Sequence, residues 1–96
     1  MSSNKFCEIT ITLHADEYFN IPDRIYNAFK VLGRDVLQGQ SLRTMSDGLT
    51  RYSIHTEYEY ESDPVKETIK FLELVNTVLE EHLPASTVFE KIELEY

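Results

Sequence analysis

Arg51–Glu61 reads RYSIHTEYEYE and alternates without a break. At a period of two, Tyr52, Ile54, Thr56, Tyr58 and Tyr60 fall on one side, and Arg51, Ser53, His55, Glu57, Glu59 and Glu61 on the other. Such a strand packs its aromatic and β-branched side and leaves a row of carboxylates in water. Ser62-Asp63-Pro64 follows at once, with Asp63 as a helix cap and Pro64 at the first helical position, where a missing N–H costs little. The apolar rhythm then runs on to Leu83, and Pro84 stops it. Strand and long helix, joined this tightly, are the first two elements of a β-α-β unit.

Working back from Arg51, Ser46-Asp47-Gly48-Leu49 reads as a hairpin turn, because glycine accepts the positive φ that tight hairpins require. A short strand is therefore expected before it, near Gln40–Met45, at a sheet edge. Further back, Ile21, Ile25, Ala28, Phe29 and Leu32 make the apolar stripe of a first helix, started at Asn20 or Ile21, with Pro22 in its first turn and Gly33 at its end. Residues 14–20, HADEYFN, form a loop. Before it, Phe6–Leu13 alternates with Cys7, Ile9, Ile11 and Leu13 inward and Glu8, Thr10 and Thr12 on a wet side.

Along the long helix, Val65, Ile69, Leu72, Val75, Leu79 and Leu83 share a stripe expected to face the sheet. Phe71, Leu74 and Val78 form a second, shorter strip, covered either by the first helix or by a dimer or partner contact. Thr87–Tyr96 alternates once more, with Val88, Ile92, Leu94 and Tyr96 inward and Phe89, Lys91, Glu93 and Glu95 outward; Glu90 breaks the inner side.

The order strand, helix, strand, strand, helix, strand describes one α+β domain over residues 1–96, a ferredoxin-like two-layer sandwich with a four-stranded antiparallel sheet and both helices on one face. Ninety-six residues, 42% of them hydrophobic, suffice for one modest core and not for two. The single cysteine, Cys7, excludes an internal disulfide and reads as a buried thiol in a reducing compartment. No stretch approaches the roughly 18 apolar residues of a membrane span, and the first residues lack a secretion signal, so a soluble cytoplasmic chain is expected.

Nine basic residues stand against seventeen acidic ones, and seven of the eight excess negative charges lie after Thr50. That skew repels nucleic acid and membrane phosphate and attracts a basic partner. An uncovered sheet face would gather Glu8, Thr10, Thr12, His14, His55, Glu57, Glu59, Glu61, Phe89, Lys91, Glu93 and Glu95. RNA-binding sheets of this shape carry stacked aromatics among basic residues, and here Phe89 stands among acids. A phosphate-gripping loop after the first strand is excluded as well, because HADEYFNIP holds two acids and no Lys or Arg.

His14 and His55 are candidate metal ligands, with Glu57 and Asp16 nearby, although no tight ligand spacing supports them. His82 suits the negative end of the long helix. Cys7 and the serines have no base at a recognisable spacing, so no enzyme and no cofactor is expected.

Leu32-Gly33, Gly39-Gln40 ahead of a strand with Arg43, and Tyr52-Ser53-Ile54 ahead of the long helix together resemble a family of small ferredoxin-like bacterial proteins, some of them antitoxin partners in toxin-immunity loci. The similarity covers about half the chain, and the family carries Trp at the position of Tyr52. It implies inhibition by binding. The expected function is an acidic immunity protein that occludes a basic toxin, plausibly a nuclease, through Glu57, Glu59, Glu61, Glu93 and Glu95, with Tyr58 or Tyr60 as aromatic anchors. A phage-encoded inhibitor would use the same charge mimicry. The alternative is a dimeric regulatory or small-ligand-binding module.

Overall fold

A computed structural model describes residues 5–44 and 48–96, with residues 40–44 in backbone only. Strand β1 spans Lys5–Ala15, a 3-10 turn Glu17–Phe19, helix α1 Ile21–Val31, strand β2 Leu37–Thr44, strand β3 Thr50–Tyr60, helix α2 Pro64–His82 and strand β4 Val88–Glu95. The sheet order is β2-β3-β1-β4, with every neighbouring pair antiparallel. This is the ferredoxin-like arrangement, with β1 and β3 central.

Local chemistry sets the element ends. The Asp63 carboxylate accepts the Lys66 N–H at 3.1 Å, and the Glu67 carboxylate reaches back to the N–H groups of Glu61, Ser62 and Asp63. These bonds, that to Ser62 first, hold the Glu67 carboxyl below its ordinary range. At the end of α1, Gly33 takes φ +68°, the Arg34 N–H reaches the Phe29 carbonyl and the Gly33 N–H that of Lys30, which closes the helix in a Schellman turn. Gly48 takes φ +85° between β2 and β3, as a hairpin turn needs. Met45 of the expected strand and Ser46 and Asp47 of the expected turn lie outside the described residues.

Both helices cover one side of the sheet. Between the layers are buried Cys7, Ile9, Ile11 and Leu13 of β1, Tyr52 and Ile54 of β3, Ile21, Ile25, Ala28 and Phe29 of α1, and Phe71, Val75 and Leu79 of α2. Burying each large apolar side chain stabilises the fold by about 1.5–3 kcal/mol. Arg24 of α1 donates to the carbonyl of His82 at 3.0 Å, so a cation sits at the negative end of α2. The Cys7 thiol is fully buried and burial pushes its pKa up, with a smaller opposing pull from the Thr68 hydroxyl.

Three expectations are corrected. First, α2 is turned about its axis: its buried side is Thr68, Phe71, Val75 and Leu79, while Val65 and Ile69 are about half exposed. Phe71 is therefore core, stacked on Tyr58 with ring centroids 4.7 Å apart. Leu74 is exposed and Val78 half-buried, so the strip of Phe71, Leu74 and Val78 is no single surface. Second, β4 carries a bulge. Thr12 faces Lys91 but Leu13 faces Phe89, which leaves Glu90 as the extra residue. Phe89 consequently packs against the core instead of facing outward, and Val88 points away from it, 50% exposed. Third, Thr12 and His14 are buried although they lie on the side of the sheet without helices.

Candidate functional site

The side of the sheet away from the helices has two chemically different ends. At one, the strand registers put Glu8 opposite Glu57 on β3 and opposite Glu95 on β4, and Phe6 opposite Glu59. Glu57, Glu8 and Glu95 thus make one row of exposed carboxylates across three adjacent strands. Directly opposed side chains on neighbouring strands come within about 5 Å at Cβ, and like charges there cost a few tenths of a kcal/mol per pair. Among the described residues no Lys, Arg or His side-chain nitrogen lies within 4.0 Å of a carboxylate oxygen of Glu8, Glu57, Glu59 or Glu95.

At the other end the charge is compensated. The bulge turns Glu90 onto this face, where one carboxylate oxygen meets His14 Nε2 at 2.8 Å and the other accepts from Arg51 at 3.1 Å. An ionised carboxylate only accepts, so His14 donates. That hydrogen bond first, then the Arg51 charge, holds the Glu90 carboxyl below its ordinary range against the opposing effect of burial. Lys91 lies 3.4 Å from Glu93. Between the two ends, Thr10 Oγ1 and His55 Nδ1 share a hydrogen bond of 3.0 Å.

Over the acidic end lies an open cleft of about 690 Å³, lined by Phe6, Glu8, Thr10, His55, Glu57 and Glu59 from the sheet, by residues 33–36 of the α1–β2 loop and by Leu37 at the start of β2. The loop is anchored: Thr56 Oγ1 donates to the Asp35 carbonyl at 3.0 Å, and the Arg34 guanidinium lies over the rings of Tyr58 at 5.4 Å and Phe71 at 5.3 Å. Phe6, 41% exposed, gives the cleft an aromatic surface among carboxylates. That combination suits a cation on an apolar stem, such as a lysine or arginine side chain.

Glu57, Glu59, Glu93 and Glu95 share the open face, and Glu61 follows β3 directly and is exposed. Tyr58 and Tyr60 do not belong to it. Both are half-buried on the helix side, Tyr58 under Phe71 and Tyr60 edge-on to Tyr96, away from the carboxylate row. His14 and His55 are also separated, because the register gives His55 to Thr10 and His14 to Arg51. Among the described residues no group of three or more His, Cys, Asp or Glu side chains is placed to hold a metal ion. Phe6 and Arg34 escaped the sequence reading. Phe6 carried a signal, since the parity that buries Cys7 puts its neighbour on the open face; Arg34 carried none, as its place depends on the loop.

No described helix is long and apolar enough to cross a membrane. No family model and no curated protein matches the chain. Among solved structures it is similar to "De novo designed protein Foldit4", with a TM-score of 0.62, 18% identity, and coverage of 96% of this chain and 98% of that one. At that identity the likeness concerns the fold alone.

Proposed function

We propose that the chain is an acidic binding protein that neutralises a basic protein, most simply an immunity protein that occludes the phosphate-attracting site of a nuclease toxin. The observation that carries this reading is the carboxylate row Glu57, Glu8 and Glu95, without an ion pair among the described residues, beside exposed Phe6 and Glu59. A fold that sets like charges opposite one another loses stability there, and a docked cationic surface recovers it. Long-range attraction between an acidic face and a basic site also speeds encounter and selects the partner. The anchored α1–β2 loop keeps the cleft preformed, so little ordering entropy is lost on docking.

The resemblance to toxin-immunity proteins supports the same reading, as does the concentration of negative charge after Thr50. The test is co-purification with the product of the adjacent gene, repeated at rising salt, followed by an assay of that product's nuclease activity. Loss of the complex as salt rises, together with stoichiometric inhibition at low salt, supports the proposal. Salt-insensitive binding, or no binding, counts against it.

A further inference from the structure

Among the described residues β4 forms an edge of the sheet, with β1 as its sole strand neighbour and no strand on the other side of its backbone. On the helix side of that edge, Ile92 is 46% and Leu94 36% exposed. Val65 and Ile69 of α2, 55% and 49% exposed, stand on the same side of the sheet. They lie roughly 120–160° around the helix from Phe71. As Phe71 stacks on Tyr58 of β3, Val65 and Ile69 lie on a different flank of α2 from the one that meets β3. An open strand edge bordered by apolar side chains on strand and helix is a surface for pairing.

We propose that a second copy of this chain covers that surface, with β4 paired antiparallel to its own equivalent about a two-fold axis at Ile92, joining two sheets into one of eight strands. The charge pattern chooses both the occupant and the register. Antiparallel pairing opposes residues on the same face. Centred on Ile92, it sets Ile92 on itself and each Lys91 opposite Glu93 of the copy, and opposes no two like charges. Centred on Lys91 or Glu93, it sets a charge on its own equivalent; centred on Leu94, it sets Glu93 opposite Glu95. Lys91 and Glu93 already share one face, at 3.4 Å within the chain. The seam leaves Glu8, Glu57 and Phe6 open, so it is independent of the proposed partner, but it ties up Glu93.

Sedimentation equilibrium of the full chain tests this. The expected result is the mass of two chains, falling to one for Ile92→Asp while the circular dichroism spectrum is kept, and staying at two for Leu74→Asp on the other flank of α2. Lys91→Glu and Glu93→Lys alone should each weaken association about tenfold, and the double reversal should restore it; these exposed positions keep the test valid if Ile92→Asp does not fold. A monomeric wild type, a dimer that survives Ile92→Asp, one broken by Leu74→Asp, or single reversals with no effect would overturn the proposal.

Discussion

Glu8 and Glu57 face each other across the β1–β3 ladder, both exposed and neither ion-paired among the described residues, with Glu95 continuing the row on β4. Opposed like charges on neighbouring strands are a local cost, so Glu8→Gln or Glu57→Gln should raise stability by a few tenths of a kcal/mol. Chemical denaturation at low and high salt checks this, because screening should erase the gain. The same substitutions should weaken binding of the basic partner. Stability rising as affinity falls marks a surface kept for recognition.

Glu90 acts in the opposite sense. Its carboxyl is held below its ordinary range by His14 and Arg51, so it stabilises the fold above the carboxylate range, and that contribution is lost as pH falls through its folded value. Glu90→Gln should therefore melt at a lower temperature than wild type near neutral pH, and the two should converge in acid. Thermal melts across pH provide the check. A difference that persists or grows in acid, below the range in which Glu90 is ionised, would contradict the bridge.

The rotation of α2 about its axis is open to a paired substitution. Phe71→Ala removes a ring buried against Tyr58 and should cost about 3–5 kcal/mol. Leu74→Ala, at an exposed site away from the proposed seam, should stay within about 0.5 kcal/mol. Equal losses would mean that the helix presents another side to the sheet.

The bulge in β4 makes a similar contrast between neighbours. Phe89→Ala should destabilise by about 1–3 kcal/mol, as a ring packed on the core is lost. Val88→Ala should be close to neutral. Deleting Glu90 should straighten the strand and remove its bonds to His14 and Arg51, which a melt would register as a larger loss than Glu90→Gln.

Elements with a local cause were legible in the residues. Asp63-Pro64 started α2, Gly33 ended α1, and the parity of Cys7, Ile9, Ile11 and Leu13 named the inner side of β1. The antiparallel pairing then made the acidic side common to Glu57, Glu59, Glu93 and Glu95. What failed depended on contacts between elements. Periodicity gave α2 two candidate stripes, and the buried side takes Phe71, which meets Tyr58, from one and Val75 and Leu79 from the other. Alternation in β4 broke at Glu90, and the residues alone do not say that a bulge turns it toward His14 and Arg51. Tyr58 and Tyr60 followed their predicted parity, and that parity takes them away from the acidic face.

The docking surface itself can be read directly by following the backbone amide resonances of the isotopically labelled chain while the purified basic partner is added. The expected result is a footprint on Phe6, Glu8, Glu57, Glu59 and Glu95, fading as salt rises and absent in the Glu8→Gln, Glu57→Gln, Glu59→Gln triple variant. A footprint confined to α1 and α2, unchanged by salt and by the triple variant, would contradict the claim that the carboxylate face is the binding surface.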